Sequence, residues 1–248
     1  MTRLLVVRHG RTSWNEMGRF TGQMDPPLDA AGRAQARALA RLLRGVRIDL
    51  ALTSDLIRAE ETARTILEGR GLPLLLEPRL REASFGRWEG LTYAEIAAED
   101  PDLLKAWEDD PLHAAPPGGE SLADLAARVG AVLDELLRDR GDATVLAATH
   151  GGPARVLLCL ALGVPLARHW QFGLGNAAWR SWSFTTGRGS WSSCGIRWAL
   201  ARRPVLGFVA PGNPPDLSRD FGLFTALPVL RVTPFRPKEG EGGLGREL

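Results

Sequence analysis

The chain has 248 residues, 44% of them apolar and 24% charged, enough to bury a sizeable core as one domain or as one domain with an appendage. Its 31 Lys and Arg outnumber its 29 Asp and Glu, but residues 1–178 carry a net −3 and the remainder +5, so the main body is a poor nucleic-acid binder. The apolar run Leu4–Val7 is too short for a signal peptide, no run reaches membrane-spanning length, and Cys159 and Cys194 lack the spacing of a metal site or disulfide framework; a cytoplasmic protein with no membrane or nucleic-acid partner is expected.

Taken in chain order, RLLVV (3–7) reads as a buried strand. Ala and Leu at helical spacing follow over 29–45, closed by Gly45. DLALTS (49–54) is a second strand, and the helix after it (55–69) has Ser54 or Asp55 as candidate N-cap. LPLLLEP (72–78) is a third strand. After an acidic, Trp-containing middle section, PPGGES (116–121) is a turn, and Ser121 with Asp124 fits a capping box opening a long helix. ATVLAATH (143–150) is a fourth strand and 151–163 the helix after it. Strands alternating with helices predict a three-layer α/β/α sandwich around a mostly parallel sheet, with its binding crevice at the carboxyl ends of the strands.

Charged residues collect at those ends. Arg8 and His9 close the first strand, His150 closes the fourth, and Arg58 falls on the first turn of the helix after the second. Singly, each has a plain structural reading: a surface turn, a core histidine, a solvated helix residue. Together they form a cationic cluster that needs an anion, and guanidinium forks match phosphate oxygens. Gly10 and Gly151 suit close backbone approach, and helix N-termini there would add N–H donors. A neutral imidazole among arginines is a competent nucleophile toward phosphorus. A proton donor is also required. Glu82, immediately after the third strand in a segment where Phe85 and Trp88 are expected to shield it, is favoured over its rival Glu89 because it stands closer to the strand end.

These segments resemble the histidine phosphatase superfamily, with its phosphoglycerate-mutase-like fold. The resemblance runs in order through RHGRTSWN, FTGQMDPPLDAAGRAQA, TSDLIRAEETA, LREASFGRWEG, PPGGES and THGG to GNAAW, over about residues 3–179. It implies that His9 is the nucleophile and becomes phosphohistidine. It implies further that Arg8, Arg58 and His150 form the phosphate pocket, that Asn15, Thr21, Gly22 and Gln23 contribute beside it, and that Glu82 is the proton donor. No metal or other cofactor is implied. The implied substrate is a small-molecule phosphate monoester, held by a monomer or homodimer. Hydrolysis is favoured over bisphosphate-dependent mutase action, because only 68 positions separate Glu82 from His150 and Ala83, Ser84 and Phe85 follow the acid. A phosphate-binding module without turnover is the reading from another class, and the complete set of implied catalytic residues counts against it. The section from Thr92 to His113 is expected to roof the substrate.

The expected catalytic domain covers 1–179. Residues 180–248 read as an atypical Trp/Gly/Pro/Arg-rich extension, poorly ordered, with 7 Pro and 7 Gly after position 200. A reading-frame shift after Trp179 would account for it, at the expense of a closing strand and with an open sheet edge.

Overall fold

A computed structural model describes residues 2–139 and 142–184. Strands β1 (Thr2–Arg8), β2 (Leu50–Thr53), β3 (Leu74–Leu76) and β4 (Thr144–Thr149) run parallel, and β5 (Trp179–Phe184) lies antiparallel to β1, in the order β3-β2-β4-β1-β5. Helices are α1 (Ser13–Glu16), α2 (Ala30–Leu43), α3 (Ile57–Leu67), α4 (Tyr93–Glu99), α5 (Pro101–Asp109), α6 (Leu122–Asp139) and α7 (Gly151–Leu162).

The unbroken apolar run of β1 follows from burial on both faces of the sheet. Leu4 and Val6 pack with Val129, Val132 and Leu133 of α6 and Val156 and Leu157 of α7; Leu5 and Val7 pack with Leu39 and Leu43 of α2 and Ala63 and Ile66 of α3. The expected three layers result. A third cluster, Trp88, Ile96 and Leu104 with Phe20, Phe85 and Trp107, ties α4 and α5 to the segments around Phe20 and Phe85. The acidic side chains Glu99, Asp102, Glu108, Asp109 and Asp110 stand on exposed faces there.

Three expectations change. The third strand spans three residues rather than seven, because the chain turns at Glu77 into a 3-10 turn, Pro78–Leu80. Neither Ser54 nor Asp55 caps α3: Leu56 holds the cap position, the Ile57 N–H goes to Asp25 Oδ1, and Asp55 pairs with Arg81. The closing strand is present. Six residues with Trp and Phe among Ser, a run too short to outweigh the Gly/Pro-rich tail composition, pair with β1 from Val7–Trp179 to Thr2–Phe184 and cover that edge. The boundary placed at 179 therefore falls at the start of β5, and the extension expected beyond Phe184 lies outside the described residues.

Candidate active site

Adjacent parallel strands carry the two histidines. β1 and β4 are in register up to Arg8 opposite Thr149, so His9 and His150 leave the sheet side by side, ring centroids 5.0 Å apart. The backbone of His9 is held at both ends: its N–H donates to Thr149 O at 2.9 Å, and its carbonyl accepts from Ala177 N–H at 2.9 Å. Its Nδ1 lies 2.7 Å from Gly10 O. A carbonyl only accepts, so Nδ1 carries the proton and Nε2 presents a lone pair.

His150 has the same tautomer for a different reason. Its Nε2 lies 2.8 Å from Ser54 Oγ, which already accepts from Leu56 N–H at 3.3 Å. In this buried setting the hydroxyl proton of Ser54 has the imidazole as its acceptor, which leaves the proton of His150 on Nδ1. That Nδ1 has no partner. The sheet thus offers a nitrogen lone pair from one ring and an N–H from the other.

Two guanidinium groups complete the cluster. Fully buried Arg58 donates to Gly22 O and Met24 O, both at 2.7 Å, with Asp25 at 3.8 Å; Arg8 donates to Leu174 O. Among the described residues, the buried side-chain N and O atoms without a hydrogen-bond partner are Arg8 Nε, Arg58 Nε and His150 Nδ1. Burying a donor unpaired costs about 1–3 kcal/mol, so three donors gathered in one place are a strong sign of an anionic guest.

Burial and the neighbouring cations set the charge states. Burial, then Arg155 and Arg58, push the Arg8 pKa down to about 10 against the pull of Glu82. Burial, then Arg8 and Arg58, hold His9 well below its ordinary value; burial, then Arg58, His9 and Arg8, do the same to His150. Both rings are therefore neutral at neutral pH. Unfolded histidines take up protons near pH 6.5 that the native pair refuses, so the unfolded state binds more protons below that pH and stability falls as pH falls. In phosphate-free buffer the slope below pH 6.5 should approach about 2.7 kcal/mol per pH unit for the two rings, read as a falling melting temperature. A flat melting temperature from pH 7 to 5 would contradict the neutral pair.

The two candidate carboxylates separate by geometry. Glu82 lies against the start of α7, accepting from Gly152 N–H at 3.0 and 3.2 Å and from Ala83 N–H at 3.0 Å. A Cβ at Gly152 would stand 2.4 Å from its Oε1, so glycine there lets the acid reach the helix end, whereas a Cβ at Gly151 would meet Arg8 Cζ at 3.5 Å, an ordinary contact, so the close approach expected at Gly151 is made at Gly152 instead. Glu89 instead accepts from the N–H groups of Gln23, Met24 and Phe85 at 3.0–3.2 Å and clamps two loops together. Phe85 and Trp88, expected to shield Glu82, belong to the third cluster, where their rings pack on Phe20 and Trp107.

The remaining expected residues fall around this centre. Asn15 closes a capping box with Thr12, and its Oδ1 also accepts from Asn176 Nδ2, so its own amide N–H groups are the side chain's available donors. Gln23 donates its side-chain amide to Glu82 O at 3.4 Å. Thr21 is buried with Oγ1 toward Arg19 O, and Gly22 presents its carbonyl to Arg58. Gly10 differs from expectation in its reason: a Cβ there would meet Gly32 O at 2.5 Å, so its close approach is to α2, while its N–H donates to Thr62. Among the described residues no group of three or more His, Cys, Asp or Glu is placed to hold a metal ion, and no helix is long and apolar enough to cross a membrane.

Sequence reasoning missed Ser54, taken as a cap; Gly152; Arg128 with Glu120; and Arg155. Arg155 is half-buried, bonded through Nε to Phe172 O, and close enough to Arg8 and Glu82 to influence the charge of the former and to feel that of the latter. Arg155 left a signal of spacing, four positions after Gly151 and three after Gly152, while Gly152 and Glu120 lie inside the THGG and PPGGES segments without a role having been read for them.

The profile of the histidine phosphatase superfamily (branch 1) matches residues 4–196. Phosphoserine phosphatase 1 of Hydrogenobacter thermophilus is 35% identical over 72% of this chain and 85% of its own length. The glucosyl-3-phosphoglycerate phosphatase of Mycobacterium tuberculosis is 40% identical over 71% and 83%. Among solved structures, the alpha-ribazole phosphatase from Shigella flexneri superposes with a TM-score of 0.70 at 34% identity, covering 74% of this chain and 91% of that one.

Proposed function

The chain belongs to the histidine phosphatase superfamily, branch 1, and is a phosphatase of small phosphorylated metabolites; from that premise we propose that it hydrolyses phosphomonoesters through a phosphohistidine at His9. The observation that carries the reading is the set of unpaired buried donors, Arg8 Nε, Arg58 Nε and His150 Nδ1, around an imidazole whose Nε2 lone pair is free. A phosphoryl group uses all of them. Its equatorial oxygens take the donors, and its phosphorus meets the lone pair.

In the first step His9 Nε2 forms the N–P bond, the ester P–O bond breaks, and protonated Glu82 gives its proton to the departing alcohol oxygen. In the second, water forms a new O–P bond while Glu82 takes its proton and the N–P bond breaks, restoring neutral His9 and protonated Glu82. Charge on the equatorial oxygens is met by guanidinium groups and the N-terminus of α7 throughout. The relatives are named for phosphoserine, glucosyl-3-phosphoglycerate and alpha-ribazole chemistry, so likeness selects the reaction and leaves substrate choice to the surrounding loops.

The test combines product analysis with trapping. Across a panel of phosphomonoesters, including 3-phosphoglycerate, the protein should release inorganic phosphate, and an alkaline quench during turnover should leave one phosphoryl group on the peptide bearing His9. Conversion of 3-phosphoglycerate to its 2-isomer without phosphate release would replace hydrolysis with mutase action. Phosphate release with no label on any histidine would remove the covalent step.

A further inference from the structure

We propose that Arg128, paired with Glu120, is a positioning residue that holds Glu82 in register for proton transfer, an inference that rests on the hydrolytic reading above. Glu82 sits on a loop beyond the 3-10 turn rather than on a strand or helix, yet its task requires a carboxyl group placed to within a fraction of an ångström. Something must fix that loop. Arg128 projects from α6 and uses all five of its N–H donors: Nη1 on the carbonyls of Arg79 and Arg81, both at 2.7 Å, Nη2 on Glu82 O at 2.9 Å and Glu120 Oε2 at 2.8 Å, and Nε on Glu120 Oε1 at 2.8 Å.

Glu120 extends the brace past the acid. Its Oε2 also accepts from Ser84 N–H at 2.9 Å, and its own N–H donates to Ser84 O at 2.8 Å. The pair therefore grips backbone on both sides of Glu82, with carbonyls 79 and 81 before its side chain and its own carbonyl and the amide of 84 after it. The carboxylate is left to rest on Gly152 and Ala83 N–H. The PPGGES segment thus has a role beyond a turn, since it delivers Glu120 to the planar fork that reaches these carbonyls. Lysine at 128 would keep the charge and lose the fork.

Leaving-group dependence reads this role directly. An alkyl alcohol needs a proton as it departs, whereas 2,4-dinitrophenolate leaves without one, so kcat/KM for an alkyl phosphate depends on a well-placed acid and kcat/KM for the dinitrophenyl ester does not. For Arg128→Lys we expect kcat/KM to fall about 30-fold with an alkyl phosphate and less than about 3-fold with 2,4-dinitrophenyl phosphate. Glu82→Gln should show the same selectivity more strongly, and the double variant should fall no further than Glu82→Gln alone. Glu120→Gln, which keeps an acceptor for Ser84 N–H, should repeat the pattern at smaller size and carries the comparison if Arg128→Lys melts below the assay temperature. Equal losses on both esters, or losses that multiply with those of Glu82→Gln, would overturn the positioning role. Wild-type protein inactive on both esters would instead overturn the hydrolytic reading beneath it.

Discussion

His9→Ala should lower phosphate release by about 10⁴-fold, equivalent to about 5.5 kcal/mol of barrier, with the fold retained. The size follows from what is removed. His9 is 3% exposed and tied through Nδ1 to Gly10 O, so alanine deletes one hydrogen bond and leaves a small cavity, while the strand-end backbone keeps its bonds to Thr149 and Ala177. Chemistry loses its nucleophile altogether. The neighbouring imidazole cannot replace it, although its ring centroid is only 5.0 Å away, because the Ser54 hydroxyl keeps His150 as the Nδ1–H tautomer and its other nitrogen is engaged. The variant should therefore bind inorganic phosphate and show no phosphohistidine after an alkaline quench. Residual turnover above about one hundredth of wild type, with a phosphoryl group on another residue, would take the nucleophilic role away from His9.

Much of this centre was legible because it is written in local terms. A central parallel strand buried on both faces must be continuously apolar, so the step from Val7 to Arg8 and His9 marks where it leaves the core, and the step from Thr149 to His150 marks the same event on its neighbour. Parallel pairing then makes the two ends meet. Ser54 was misread for the opposite reason. Its neighbours in sequence suggest a helix cap, and only the register of β2 against β4 puts its hydroxyl on the ring of His150. Arg128 shows the same limit: on α6 it has the look of a solvated charge, and its five acceptors come from segments distant in sequence or set by the fold of a loop. The choice between Glu82 and Glu89 rested on proximity to a strand end; the structure sets Glu82 against the start of α7 and Glu89 between two loops, a difference that position along the chain does not carry. β5 escaped notice because six residues carry too little periodicity to stand out from the tail that follows.

The site divides labour in a way that bears on how it is perturbed. In the proposed mechanism, strand ends and helix starts supply the nucleophile and the phosphate donors. Loops braced by Arg58, Glu89 and Arg128 carry the group to which that mechanism assigns proton transfer. Side chains that reach from the first set to the second should be the least replaceable after the nucleophile. Arg58 is such a residue.

Arg58→Lys, which preserves the charge, should lower kcat/KM by about 10³-fold for alkyl and aryl esters alike. Three things are lost together. The planar fork that spans Gly22 O and Met24 O becomes a single ammonium, the unpaired Nε disappears from the phosphate cluster, and a charge stabilised by delocalisation becomes a compact, strongly hydrated one at a fully buried position. Two carbonyls left without that donor should also cost about 1–3 kcal/mol each, so the melting temperature should drop. Competition by inorganic phosphate separates the catalytic loss from the structural one. If Arg58 grips the phosphoryl oxygens, inhibition weakens by at least about tenfold in protein that is still folded. If it merely frames the Gly22–Met24 loop, phosphate affinity stays near that of wild type while the melting temperature falls, and the cationic cradle then has to be rebuilt from Arg8, His150 and the N-terminus of α7 alone.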